Sequence, residues 1–410
     1  MLSRFVQIVI TGAAMAVAAC TSLPDNPYEE VLVHFAVQLQ FPEPFNAADY
    51  SDGIRVTLEE VTTANRYTET ADAEGMVYFQ VVKGVYRVSA SHRGDEVVFN
   101  GMADRIRLTG DEASIPTLSL PLTCSKPGTL IIKEIYCGGC SKAPEEGTFQ
   151  SDKYFIVHNN SDEVLCLDGL CFGMLDPYNS NSVNVWTDDA GNFREYAPLC
   201  EAVWRFPGSG TDFPLEAGED AVVVINGAVD HAAQYPLSVN LNQPGYFVCY
   251  DPILFANVTY HPTPGDRISP SRYMEVVRKT GQSNAFPLSI NSPTLVLFRA
   301  PEEIDIADYL NDDERAIVQK PGASARCMKI PWEWIIDGVE VYNGSATSNY
   351  KRLPDEIDAG FVTLSRSFLG HTLHRRMDET ATAAAGYAIY QDTNNSSNDF
   401  YEREVQSLHP

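Results

Sequence analysis

The chain has 410 residues, and its 55 acidic residues against 29 lysines and arginines give a formal net charge of −26. This charge argues against nucleic acid as a partner and against a polybasic lipid-binding face, because phosphate groups would be repelled. The length, together with 25 prolines, 27 glycines, 20 tyrosines and 19 phenylalanines, predicts two or three β-rich domains with few helices.

The first twenty residues have the pattern of a lipoprotein signal peptide. Arg4 precedes an apolar run, and Val17-Ala18-Ala19-Cys20 has the form of a lipobox. The run is too short to cross a bilayer, which takes about 20 apolar residues. We therefore expect removal of residues 1–19 and lipidation of Cys20, with residues 20–30 as a tether. The lipid would hold the protein on the outer membrane, at the cell surface or the periplasmic face. An ordinary secretory signal is the alternative.

Residues 31–123 are predicted to form a first β module. Apolar and polar side chains alternate over Ile54–Leu58, which is the period of a strand with one buried face. Two later segments, Thr70–Phe79 with the pattern Thr-x-Asp-x-x-Gly-x-x-x-Phe and Gly84–Val88 with the pattern Gly-x-Tyr-x-Val, resemble the transthyretin-like regulatory domain of carboxypeptidases and the B-type repeats of collagen adhesins. The resemblance implies an immunoglobulin-like β-sandwich that acts as a spacer.

The next segment opens a second domain. Leu130–Tyr136 and Tyr154–His158 are predicted strands, and the Asn-Asn-Ser-Asp that follows at 159–162 has turn chemistry. Val164–Leu167 then begins a third strand. We expect the second and third strands to pair as a β-hairpin.

These motifs resemble the opening of the lamin-tail-like domain, an immunoglobulin-type β-sandwich, and still more the DUF4876 group of Bacteroidetes lipoproteins. Later stretches fit the same pattern, at 221–227, 294–298, 334–342, 371–376 and 392–400. The resemblance implies an all-β chain in which a larger lamin-tail-like sandwich over 124–410 follows the first module. An insertion is expected around 228–293, with some helix near 269–280.

Eight cysteines remain once Cys20 is lipidated, out of nine in the chain. Cysteines of exported proteins tend to become oxidised because they reach an oxidising compartment. The sequence therefore predicts up to four disulfides of unresolved pairing. Cys137-Gly138-Gly139-Cys140 also has the spacing of a zinc or redox motif, with Cys166 and Cys171 as further zinc ligands. Structural disulfides are the favoured interpretation of the set, which comprises Cys124, Cys137, Cys140, Cys166, Cys171, Cys200, Cys249 and Cys327.

Two other groups of side chains are candidate binding residues. Trp332, Trp334 and Tyr342 lie close in sequence and are a possible aromatic platform for a ligand, with core packing as the alternative. The polar run Asp392–Asp399 has oxygen-bearing side chains at the spacing of the first half of a calcium loop, but it lacks the later glycine and glutamate. A turn capped by its own side chains is therefore favoured over calcium.

No nucleophile elbow, HExxH sequence, phosphate loop or dinucleotide fingerprint is present in the sequence. We therefore expect a non-enzymatic envelope lipoprotein without a cofactor. The resemblance implies that it binds a ligand or assists an outer-membrane receptor. An adhesin-like protein that binds a macromolecule is one alternative, and a glycan hydrolase with carboxylates in the insertion is another. The insertion loops are the expected place of function, whereas an adhesin would bind through the sandwich loops.

Overall fold

The computed structural model describes residues 32–94, 97–110, 115–126 and 128–410. The predicted signal peptide, Cys20 and the tether lie outside the described residues. Within them the chain is nearly all β, as predicted, and consists of two sandwiches in succession. None of the described helices is both long enough and apolar enough to pass through a bilayer.

The first module packs a three-stranded sheet, in the order β4–β1–β7, on a five-stranded sheet, in the order β3–β2–β5–β6–β8. Its elements are β1 Leu32–Gln40, α1 Ala47–Tyr50, β2 Arg55–Glu60, β3 Arg66–Thr70, β4 Met76–Val82, β5 Gly84–Arg93, β6 Val98–Leu108, β7 Thr117–Pro121 and β8 Thr123–Ser125. The predicted alternation is confirmed, since Ile54, Val56 and Leu58 are all fully buried. Because β8 pairs with β6, this module ends at about Ser125, slightly beyond the predicted boundary.

The second domain contains eighteen further strands and three short α-helices among the described residues. The strands are β9 Leu130–Tyr136, β10 Cys140–Ser141, β11 Thr148–Phe149, β12 Tyr154–Asn159, β13 Leu165–Cys166, β14 Cys171–Leu175, β15 Tyr196–Arg205, β16 Pro214–Leu215, β17 Asp220–Val224, β18 Phe247–Val248, β19 Glu275–Lys279, β20 Thr294–Phe298, β21 Ala316–Ile317, β22 Cys327–Pro331, β23 Ile335–Asn343, β24 Val362–Leu364, β25 Thr372–Arg375 and β26 Phe400–Arg403. The helices are α2 Ile306–Asn311, α3 Glu379–Ala385 and α4 Ser396–Asp399, and 3₁₀ turns occur at Pro270–Arg272, Asp313–Arg315 and Trp332–Trp334.

Two large sheets enclose the main core of this domain. One has the order β18–β17–β12–β9–β25–β26, and the other has the order β21–β22–β15–β14–β20–β23–β24 with β19 beside β15. Alternate side chains of β9 and β12, among them Ile132 and Phe155, face Phe172 and Leu297 of the opposite sheet. The outer face of the first sheet is covered by the insertion, through residues such as Val239 and Leu241.

The opening strands form where they were predicted, but the prediction that the second and third strands pair as a hairpin is wrong. β12 pairs with β9 on one edge and with β17 on the other, so neither edge is left for the chain that follows the turn. That chain forms β13, which pairs with β16 instead. The side chain of Asn159 supports this exit, because its Nδ2 group donates to the carbonyl oxygens of Glu163 and Leu215.

The prediction of a helix near 269–280 is also wrong. One 3₁₀ turn at Pro270–Arg272 is followed by strand β19, which pairs with β15. The two β-branched residues Val276 and Val277 favour the extended conformation. Pairing with an available strand edge then decides the outcome.

The disulfide prediction is not supported by the structure, in which all eight cysteines are free thiols. Six are buried, and four of these lie in the main core of the second domain, namely Cys137, Cys200, Cys249 and Cys327. A buried cysteine packs as a small apolar side chain, and burial here raises the thiol pKa of Cys137 to about 12. These thiols therefore contribute packing, without thiolate character.

We expect the unreduced protein to show eight titratable thiols from this region after denaturation, and fast reaction of only Cys124 and Cys166 before it, because those two are partly exposed. Titration with a chromogenic disulfide reagent, with and without guanidinium, measures both numbers. A count of six would indicate a bond between Cys200 and Cys327, which the register of Leu199 with Met328 places opposite each other. A count of zero would restore the four-disulfide prediction.

Candidate functional site

The structure does not bring the three predicted platform rings together. Trp334 is buried and packs on Tyr309 with ring centroids 4.7 Å apart. Tyr342 stacks on Phe361 with centroids 3.8 Å apart. Trp332 lies in the 3₁₀ turn before β23, whereas Tyr342 is near the far end of that strand, and the part of β23 from Ile335 to Tyr342 alone spans about 23 Å at the rise of a strand. Core packing therefore explains Trp334, and stacking on Phe361 accounts for the partly buried Tyr342.

The polar run at 392–399 surrounds a buried arginine instead of an open loop. Arg375 on β25 donates from Nη2 to both carboxylate oxygens of Asp337 at 2.9 and 3.1 Å, and from Nη1 to Asp392 at 2.9 Å. Asp399 lies 3.5 Å from the same Nη1. We call these four residues the arginine cluster. Since Asp337 is on β23, the cluster joins the two sheets.

Other oxygens of this run also have partners in the protein. Asp399 accepts from the backbone and hydroxyl of Thr393, and Ser396 donates to Asp358. Asp392 accepts from the N–H of Gly128, at the junction of the two modules. Across the described residues there is no group of three or more His, Cys, Asp or Glu side chains placed to hold a metal ion. The run therefore fits the favoured interpretation, a capped turn.

One cation faces three carboxyl groups in the arginine cluster, so their charges do not balance. Burial, together with the neighbouring Asp392 and against the opposing effect of Arg375, raises the pKa of Asp337 to about 7. Burial likewise raises the pKa of Asp399 to about 6. In the folded protein these groups hold protons that the unfolded chain has released, since a free aspartate titrates near 3.9.

This imbalance predicts that the cluster stabilises the fold less as the pH rises from about 4 to about 7. A raised folded-state pKa means that the folded protein binds more protons than the unfolded chain in this window, so the stability contribution is lost as the pH rises. Asp337→Asn removes the titrating group, and the variant should show a flatter dependence than the natural protein. Urea unfolding followed by tryptophan fluorescence at pH 5, 6 and 7 tests this, and identical slopes for both proteins would contradict it.

The motif Cys137–Cys140 and two histidines on or beside β25, His371 and His374, have structural surroundings. Cys140 contacts Asp152, and burial raises its thiol pKa to about 12, which disfavours a redox or zinc thiolate. His371 bonds to Glu402, whereas His374 bonds to the carbonyl oxygen of Arg375. The two imidazoles therefore have separate partners.

A cavity of about 530 Å³ on the insertion side of the second domain has a different character. Its walls are rich in side-chain amides, and we call it the amide pocket. It is lined by Gln150, Lys153, Tyr178, Asn179, Asn226, Asn257, Tyr260, Ser283, Asn284, Ala285, Phe286, Pro287, Leu288, Ile290 and Asn291. Most of these residues come from the end of the predicted insertion, and no carboxylate is among these lining residues.

Lys153 lies at the base of the amide pocket, immediately before β12, and is only 5% exposed. Its Nζ donates to the carbonyl oxygen of Leu288 at 2.7 Å. Burial lowers the pKa of this amine to about 8. A buried lysine of this kind is a candidate for direct contact with a ligand.

Asn226, just after β17, is the second buried polar residue of the pocket. Its Nδ2 donates to the carbonyl oxygen of Phe286 at 3.0 Å. Its Oδ1 is buried and accepts no hydrogen bond from any described residue. A buried acceptor without a partner is unfavourable for the fold, so this oxygen is a candidate to accept a hydrogen bond from a ligand hydroxyl.

Other amides of the pocket have spare donors. Asn179 and Asn291 each use the side-chain oxygen to accept from a serine, Ser289 and Ser367 respectively, at 2.6 Å. Their Nδ2 groups find no partner in the described part of the chain. The pocket thus offers several amide donors, one free acceptor, an amine and two tyrosine rings.

Sequence reasoning missed Lys153 and Asn226, although one signal for Lys153 was present. Phe155 and Val157 face the core, so a side chain two residues before Phe155 points to the same side. A lysine on the core side of a strand is unusual enough to note. Asn226 had no comparable local signal, because its role depends on Phe286.

Residues 216–407 match the model of a family described as "Protein of unknown function (DUF4876)". The crystal structure of a DUF4876 family protein from Bacteroides thetaiotaomicron VPI-5482 is similar at 26% identity and a TM-score of 0.58, covering 90% of this chain and 94% of that one. A DUF3823 family protein from Parabacteroides merdae ATCC 43184 covers 40% of this chain and 72% of its own at 12% identity and a TM-score of 0.19. No curated protein matches the chain. The family match and the 26%-identical crystal structure confirm the resemblance to the DUF4876 group.

Proposed function

We propose that this protein, whose residues 216–407 match the DUF4876 family model, is a non-enzymatic lipoprotein of the outer membrane. In this proposal it binds a small polyhydroxylated ligand in the amide pocket. In this role it presents the ligand to, or captures it for, an outer-membrane receptor. The observation that carries the proposal is the buried, unpartnered Oδ1 of Asn226 beside a set of amide donors. Ligand sites are concave and use a few well-placed polar groups in this way.

The chemistry of the lining supports a saccharide as the ligand. Side-chain amides donate and accept at fixed angles, which suits the paired donor and acceptor character of sugar hydroxyls. Tyr178 and Tyr260 add aromatic surface at the same cavity. Glycoside hydrolysis would need two facing carboxyl groups, whereas Glu201 reaches the lining only through a hydrogen bond from Ser283 at 3.3 Å. Binding is therefore preferred over hydrolysis.

A role beside a receptor is supported by the loop that carries Asn257 and Tyr260. On the same loop Ile253 is 90% exposed and Val258 is 75% exposed. Neighbouring apolar side chains that remain in solvent are a common feature of protein contact surfaces. The first module would hold this loop away from the lipid.

Direct binding tests the proposed function. The full-length protein in detergent should bind members of an immobilised oligosaccharide library, and Asn226→Ala and Asn284→Ala should weaken that binding by about tenfold. Asn284 is exposed, so its loss should not disturb the fold, and the exposed Asn65 of the first module serves as a matched Asn65→Ala control. Absence of binding to every oligosaccharide would reject the proposed function.

The predicted lipid anchor has a separate test. If Cys20 is lipidated, Cys20→Ala should move the protein from the membrane fraction to the soluble fraction after cell lysis. Retention of the variant in the membrane fraction would reject the lipoprotein part of the proposal, and it would leave the ligand site untouched.

A further inference from the structure

Lys153 differs from the other buried cations of the second domain. Arg375 faces three carboxyl groups, and Arg352 pairs with Glu340. In the described part of the chain Lys153 has no ion pair at all, and a backbone carbonyl is its hydrogen-bond partner. It is also the cation among these that lines a cavity.

The charged neighbours of Lys153 do not neutralise it. Asp152 is adjacent in sequence, but its side chain accepts from Tyr136 and Ser238 on the other face of the strand. Burial raises the pKa of Asp152 and so favours its uncharged form. Cys137 is a buried thiol with a raised pKa. Burying a cation without a counter-charge is unfavourable, so the fold leaves Lys153 with an unmet preference for an anion.

We propose that the ligand of the amide pocket is an acidic saccharide whose singly charged group pairs with Nζ of Lys153. The inference rests on the proposed function and adds the class of ligand. The hydroxyls of the sugar would bond to Oδ1 of Asn226 and to the amide donors of Asn179 and Asn291. One amine balances one negative charge, so a carboxylate or a sulfate ester fits and a doubly charged phosphate monoester does not.

The test uses a matched oligosaccharide library with neutral, carboxylated, sulfated and phosphorylated members, probed at pH 7 with full-length protein. The natural protein should bind carboxylated or sulfated members at least tenfold more tightly than their neutral counterparts. Lys153→Met should lose that preference, with about a 30-fold weaker affinity for the acidic members, because it removes the partner of a desolvated charge. Comparison of the carboxylated with the sulfated members identifies the acidic group.

The variant should still fold, because methionine has a similar shape and removes an uncompensated buried charge. Lys320→Met, at an exposed lysine of the same domain, is the matched control and should bind like the natural protein. Binding of neutral members alone, unchanged in Lys153→Met, would overturn this inference and leave the proposed function standing. Binding of no member would reject the proposed function itself, and with it the inference.

Discussion

Replacing Arg375 by methionine should lower the free energy of unfolding by about 3–5 kcal/mol. The Arg375 side chain is 2% exposed and forms ion pairs with Asp337, Asp392 and Asp399. It also donates hydrogen bonds to the carbonyl oxygens of Ile132 and Gln391. Its loss leaves three buried carboxyl groups without a cation and removes the ion pair between Arg375 on one sheet and Asp337 on the other. Urea unfolding at pH 7.5, followed by tryptophan fluorescence, measures the effect.

The pH dependence of this loss is a further check on its cause. At pH 5 Asp337 and Asp399, whose pKa values are raised by burial, take up protons more readily, so the variant should be less destabilised there than at pH 7.5. Arg278→Met is the matched control, because Arg278 pairs with Asp313, whose side chain is 78% exposed. Surface pairs of this kind contribute no more than about 1 kcal/mol. Equal effects of the two substitutions would show that the arginine cluster does not hold the sheets together.

Replacing Arg352 by methionine should have an effect of similar size, about 3–5 kcal/mol, through a different pair. Nε and Nη2 of Arg352 bond to Oε1 of Glu340, at 2.9 and 2.6 Å, and both side chains are fully buried. The remaining donors bond to the carbonyl oxygens of Pro177, Ser292 and Val341. The substitution therefore breaks contacts with two loops and with β23 as well as the ion pair.

A second variant separates the loss of the arginine from the charge left behind. In Arg352→Met the carboxylate of Glu340 keeps bonds from the hydroxyl of Thr294 and from backbone N–H groups, but it has no cation. Adding Glu340→Gln removes the stranded charge and should recover part of the lost stability, as measured by the same urea unfolding. If the double variant is less stable than Arg352→Met, the buried charge is not the source of the loss.

The amide pocket differs from the buried ion pairs of the second domain in how its polar groups are partnered. Arg375 pairs with the carboxyl groups of the arginine cluster, and Arg352 pairs with Glu340. The amide pocket, at the insertion side, keeps Lys153 and Asn226 without such partners. Oδ1 of Asn226 is one of several buried polar atoms without a protein partner among the described residues, and its residue lines a cavity in which a ligand could supply that partner.

The strands were predictable from the sequence to the extent that their signals are local. Leu130–Tyr136 and Thr294–Phe298 form strands at the predicted bounds, and Ile54, Val56 and Leu58 point inward as their alternation indicated. The family resemblance was equally available, since it depends on short motifs. The 3₁₀ turn and strand at 270–279 were not, because two valines beside a free strand edge outweighed the expected helix.

The candidate site was predictable only as a region. The insertion was expected to carry function, and the amide pocket draws most of its lining from the end of that segment. The named candidates were different residues, and Trp334 and Tyr342 proved to be packed in the protein. Lys153 belongs to the opening strand region and Asn226 follows β17, so neither lies within the expected insertion.

The sequence by itself determined the all-β class and the positions of strands such as β2, β9, β12 and β20, because hydrophobic period and turn chemistry act between near neighbours. The tertiary structure alone decided the pairing of β13 with β16, the assembly of Arg375 with Asp337 and the meeting of Lys153 and Asn226 at one cavity. These contacts join residues far apart in the chain. Their partners are selected by which strand edges remain free and by which buried charges must be neutralised, and both depend on the complete fold.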